Sequence, residues 1–97
     1  MVQKLLSRNL LPSEKIILFE KPRVLRRVFF SMRVMVNADV SREVWISFDD
    51  PDFYSHYHIN GAEKYFEAEG EDIFQGDIWV LNISASNSPV AATEILH

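Results

Sequence analysis

A chain of 97 residues has room for one domain, and a 47% hydrophobic content with seven Phe, three Tyr and two Trp supplies a core that needs no staples. With no cysteine, disulfide frameworks and thiolate metal sites are excluded, and three glycines leave no material for a phosphate-binding or dinucleotide-binding loop. The net charge of −4 is unevenly spread: residues 1–42 carry nine Lys/Arg against Glu14, Glu20 and Asp39, net +6, whereas residues 43–97 carry Lys64 against eleven acids, net −10. The halves are expected to neutralise each other within one sandwich, or, in a sharper reading, across a contact between copies. Nucleic acid is not an expected partner, because the Arg23, Arg26, Arg27 and Arg33 cluster sits in an acidic domain. No apolar run approaches the ~18 residues of a membrane-spanning helix, and the N-terminus lacks the apolar stretch of a signal peptide.

Residues 1–13 read as an N-terminal arm, a helical turn or an extended segment, in which Leu5, Leu6 and Leu10 are too apolar to hang in water. Residues 14–97 read as a single β-sandwich domain. Lys15–Glu20 is an apolar run of strand length, stopped at Lys21-Pro22 because proline cannot donate to a ladder. From Val24 to Val36 the pattern alternates, with Val24, Val28, Phe30, Met32, Val34 and Val36 on one parity, as one long strand or two joined by a bend near Ser31. Asn37-Ala38-Asp39 is a turn. Glu43–Phe48 alternates again, with Val44, Ile46 and Phe48 inward and Trp45 on the opposite side. Asp49-Asp50-Pro51-Asp52 is a turn of Asx type rather than a calcium loop, since the EF-hand spacing is absent.

Asn60-Gly61 lies between two runs of strand formers and predicts a tight hairpin with a type I′ turn. A two-residue loop sets Ile59 opposite Ala62, Tyr57 opposite Lys64, Ser55 opposite Phe66 and Phe53 opposite Ala68. On the other face His58 meets Glu63, His56 meets Tyr65 and Tyr54 meets Glu67. The face with Phe53, Ile59 and Phe66 is the core face, so both histidines point outward. Glu69–Asp72 reads as an acidic turn, Asp77–Ile83 as a central strand apolar on both faces, Ser84–Pro89 as a polar loop and Val90–Leu96 as the closing strand. About eight short strands with turn signals every 8–14 residues predict an all-β fold, an antiparallel β-sandwich or jelly roll.

The one constellation with metal-ligand character is His56, His58 and Glu63: two imidazoles at i and i+2 on one strand face, with a carboxylate across the predicted turn. The string from His56 through His58 and Glu63 to Gly70 resembles the first motif of the cupins, small β-barrels that hold a catalytic metal. That resemblance implies a metal-dependent enzyme with those three ligands. The position of that family's leading glycine falls at Asp50, and no histidine follows Gly76-Asp77 before His97. Trp45 and Trp79 suggest a sugar platform, and hence a carbohydrate-binding module with a host glycan as ligand. An exposed Trp45 would mark a contact surface.

A longer stretch resembles a small β-sandwich protein of tailed-bacteriophage virions. It is carried by Leu10-Leu11-Pro12-Ser13 before Ile16–Phe19, by Arg26–Val34 running into Val36-Asn37, by Phe74–Val80 and by Ala92–Ile95. The resemblance implies a structural subunit of head, neck, tail or fibre type, located in the virion, without catalysis or cofactor, self-associating and docking on other virion subunits. Leu5, Leu6, Leu10, Trp45 and Tyr54 are the expected contact residues.

Overall fold

The computed structural model describes residues 2–20, 28–61, 65–72 and 76–96. Eight strands follow in chain order: β1 (Val2–Leu10), β2 (Lys15–Phe19), β3 (Val28–Val36), β4 (Glu43–Phe48), β5 (Tyr57–Asn60), β6 (Phe66–Asp72), β7 (Ile78–Asn82) and β8 (Ser88–Leu96). They form two four-stranded antiparallel sheets, ordered β1-β8-β3-β6 and β2-β7-β4-β5. The pairing is nested: β1 with β8, β2 with β7, β3 with β6 and β4 with β5. This is a long hairpin folded over itself, the winding of a jelly-roll sandwich.

The period of two explains the core. Phe30, Met32, Val34 and Val36 of β3 are buried, as are Val44 and Ile46 of β4, Ile78 and Val80 of β7, and Val90 and Ala92 of β8. Their outward neighbours Phe29, Arg33 and Met35 are exposed. At the edge strand β2 the register shifts between Ile17 and Phe19, which lets the consecutive Leu18 and Phe19 both enter the core.

Two expectations are corrected, and the course of the arm is made specific. The arm foreseen over 1–13 is, from Val2 to Leu10, an edge strand paired residue by residue with β8. Its inward side chains Leu6 and Leu10 pack in the core of the same protomer, while Leu5 stands exposed. The acidic stretch Glu69–Asp72 is not a turn but the second half of β6, lying against β3.

Among the described residues, β5 and β6 do not pair as the hairpin expected at Asn60-Gly61. β5 ends at Asn60 in the second sheet, while Phe66, Glu67 and Ala68 pair with Val34, Arg33 and Met32 in the first. The predicted partners Ala62, Glu63 and Lys64 lie outside the described residues. Gly61 has no positive φ. It is required for another reason: a Cβ there would run into the carbonyl oxygens of Ala38 and Asp39, and the Gly61 N–H donates to Arg42 O at 3.0 Å. The glycine lets two backbones touch where the chain changes sheets. The face assignment survives the loss of the register, because Phe53 and Ile59 are buried and His58 is exposed.

Candidate functional site

The outer side of the second sheet carries the chemistry-bearing residues. Across it, Lys15 lies beside Leu81, Leu81 beside Trp45, and Trp45 beside His58. Trp45 is half-buried because two imidazoles cover it. Its ring and that of His56 stack at 3.9 Å and 16°, and His58 follows at 4.8 Å from His56 and 5.2 Å from Trp45. Glu43, two residues before Trp45 on the same face, accepts the indole N–H at 3.0 Å and lies 3.4 Å from His58 Nδ1.

His56 is held by the loop before β5. Its Nδ1 lies 2.7 Å from the carbonyl of Phe53. A carbonyl only accepts, so Nδ1 carries a proton and donates it. That carbonyl is placed by an unusual backbone, since Phe53 has φ 57° and Asp49 has φ 55°. Asp50 fixes the loop: its carboxylate accepts the N–H groups of Asp52 at 3.1 Å and Ser55 at 3.0 Å, and its carbonyl accepts the buried Ser47 hydroxyl at 2.6 Å. The Ser55 N–H leads the causes that hold the Asp50 carboxyl below the usual carboxylate range, against a smaller opposing effect of desolvation. Asp39 is lowered in the same way, first by the Ser41 hydroxyl and then by the Ser41 N–H.

Of the expected metal set, His56 and His58 lie together on the outer face, while Glu63 is outside the described residues. The two rings lie nearly parallel, 22° apart. Ring lone pairs lie in the ring plane, so stacked imidazoles direct them side by side instead of to one point. Among the described residues no three ligating side chains converge. Gly70, the last member of the cupin-like string, belongs to β6 of the other sheet. The string is therefore split between two sheets, and its histidines face outward instead of into a barrel.

The expected contact residues also separate. Leu5 and Tyr54 are 75% and 89% exposed. Leu6 is half-buried, and Leu10 is wholly buried in its own protomer, so Leu10 has no surface to give a partner. The first sheet offers a broader surface. Down its middle the outward residues Ala91 and Thr93 of β8 are small, so Leu5 on one side and Met35, Arg33 and Tyr65 on the other wall a shallow trough of about 600 Å³. It adjoins a more polar one of about 860 Å³ between Gln3, Ser31, Glu67 and Glu69. Arg33 lies 2.8 Å from Glu67 and 5.0 Å from the Tyr65 ring.

Sequence reading missed the interior polar residues Ser47, Asn82, Ser88 and Glu94. Asn82 is wholly buried at the end of β7. Its Nδ2 donates to the carbonyls of Leu10, Leu11 and Ser86, and its Oδ1 accepts from Ser84 N–H and the Ser88 hydroxyl, all at 2.9–3.1 Å. Its backbone holds Ser13 and Glu14 at 2.9 Å. The signal was present: Asn82 has the inward parity of Ile78 and Val80 and is followed by Ser84, Ser86 and Ser88. Glu94, also wholly buried, stands in register with Lys4.

No family model matches the chain, and no curated protein matches it in sequence. Among solved structures, one from Bacillus endospore appendages, described as a novel family of disulfide-linked pili, superposes with a TM-score of 0.59 over 99% of this chain and 86% of that one, at 11% identity. At that identity the likeness speaks for the fold, an all-β sandwich of the same build.

Proposed function

We propose that this chain is a structural subunit of a multi-subunit assembly, of the kind found in virions of tailed bacteriophage, working by self-association and by docking on other subunits. The carrying observation is the outer face of the first sheet. There Leu5, Met35 and Tyr65 stand exposed around a floor of small residues, and contiguous apolar surface of this kind marks contact sites. The fold shared with a pilus protein supports an assembly role. That protein belongs to disulfide-linked pili, whereas this chain has no cysteine, so its copies would be joined by apolar burial, strand edges and charge. A metalloenzyme reading has less support, because the two imidazoles stack and face outward.

Light scattering coupled to size exclusion tests the proposal. The expected result is a mass several times 11.3 kDa at high concentration, lowered when Leu5 and Met35 are both changed to Glu. A wild-type chain that stays monomeric at every concentration overturns it.

A further inference from the structure

We infer that copies of this chain dock head to tail, flank against flank, with the basic edge strands β1 and β2 of one copy against the flank of the next that carries β5 and the acidic edge strand β6. The inference rests on the assembly role proposed above and names the surface and the partner, a second copy of the chain.

The jelly-roll winding turns a sequence asymmetry into a spatial one. Nested pairing puts β1 and β2 at one end of the two sheet orders and β5 and β6 at the other. β1 and β2 contain Lys4, Arg8 and Lys15 and no acid. β6 contains Glu67, Glu69, Glu71 and Asp72, β5 contains no acid, and neither strand contains Lys or Arg. Among the described residues, the strands of the two flanks therefore differ in charge, and their far sides meet no further strand.

An open edge is a template for pairing with another chain, and charge is the usual guard against it. Here the guard is selective. Two basic flanks repel, as do two acidic ones, so the symmetric dimer that joins like edges is disfavoured. The unlike pair attracts, and joining unlike patches is a heterologous contact that propagates into an open filament or closes into a ring. The lengths suit each other: nine residues of β1 span about 30 Å and seven of β6 about 24 Å. β1 contains no proline and runs against β8 without a bulge. Among the described residues, the contacts that engage these charges are exposed: Arg8 with Glu14 at 3.4 Å, Arg33 with Glu67 at 2.8 Å, and Lys15 donating to the Pro51 carbonyl at 2.7 Å. Such pairs contribute little in water and can be exchanged for contacts across an interface.

Sedimentation velocity on the full chain tests this with two charge-reversed variants. One carries Arg8→Glu and Lys15→Glu, which leaves both flanks acidic. The other carries Glu67→Lys, Glu69→Lys and Glu71→Lys, which leaves both basic. Lys4 is kept because it stands in register with buried Glu94. Each variant alone is expected to sediment as smaller species than wild type, because the flank contact is lost, and their equimolar mixture to recover the wild-type size. Wild-type association is expected to weaken about tenfold or more between 0.05 and 1 M NaCl, as the screening length shrinks to roughly 3 Å. Thermal melts check folding. Should a reversed variant not fold, Arg8→Gln with Lys15→Gln and the wild-type salt series carry the test. Wild-type assembly that ignores salt, or persists in the variants, overturns the flank contact and leaves the assembly role standing. A wild-type monomer at every salt concentration overturns both.

Discussion

Two polar clusters sit side by side in the second sheet and have opposite physical characters. Asn82, on β7, registers with Val44, the residue after Glu43 on β4. The Asn82 amide is sealed in the interior and every polar atom of it is engaged. The Glu43 carboxylate, by contrast, reaches outward to an indole and an imidazole at the sheet surface. Glu43 belongs to both. Its backbone N–H donates to the Ser84 hydroxyl at 2.6 Å and its carbonyl accepts from that hydroxyl at 3.0 Å, at the Asn82 corner, while its side chain serves the histidine patch. Hydrogen bonds of similar length do different work on the two sides. Buried, they tie the end of β1, the start of β2 and the start of β8 to one point, and losing them strands desolvated carbonyls. Exposed, they orient rings, and water replaces them at little cost.

The sharpest way to break this contrast is Asn82→Ala. Three carbonyls and two donors lose a contact to a wholly buried side chain, although the Leu11 carbonyl keeps the Glu14 N–H. The expected loss is about 3 kcal/mol or more, which for a domain of this size is a fall of roughly 12–20 °C in Tm. Differential scanning calorimetry measures it, and a loss under 1 kcal/mol would mean that the corner relaxes or hydrates.

Asn82 also shows where sequence reading stops. Strand number, strand parity and nearly all the core were legible, because alternate residues of a strand face opposite sides and the burial of Phe30 to Val36 follows that rule. The pairing around Asn60-Gly61 was not. A local Asn-Gly signal says that the chain turns, and says nothing about which sheet receives it. Here the turn passes to the other sheet, and the glycine answers to the carbonyls of Ala38 and Asp39, residues distant in sequence. The outward face of the histidines was legible from the buried alternation of Phe53 and Ile59. Their stacking on Trp45 was not, since it follows from β4–β5 pairing that the misplaced hairpin concealed.

A second, smaller effect acts on the loop beneath the patch. Asp50 and Asp39 have carboxyls held below the usual range in the folded chain, chiefly by the Ser55 N–H and the Ser41 hydroxyl respectively. A carboxyl depressed by folding contributes stability that is complete above its unfolded pKa and disappears as pH falls through the folded value. Thermal midpoints are therefore expected to fall on acidification below the usual carboxylate range, with a shallower fall in Asp50→Asn than in wild type. Equal slopes would remove Asp50 as the holder of the loop that aims the Phe53 carbonyl at His56.

The smallest expected effect sharpens the contrast from the exposed side. His58→Ala removes a ring whose side chain is 56% exposed and whose carboxylate contact spans 3.4 Å. Exposed pairs of this kind contribute within about 0.5 kcal/mol, so Tm is expected to stay within roughly 4 °C of wild type. The local environment is expected to change nonetheless, because the ring packs 5.2 Å from Trp45 and shares Glu43 with its indole N–H. Tryptophan emission, read in a Trp79→Phe background so that Trp45 is the sole reporter, should shift while the melt does not. A large drop in Tm would instead make the patch a part of the fold's support, equal in kind to the Asn82 corner, and the distinction between buried and exposed polar contacts in this sheet would fail.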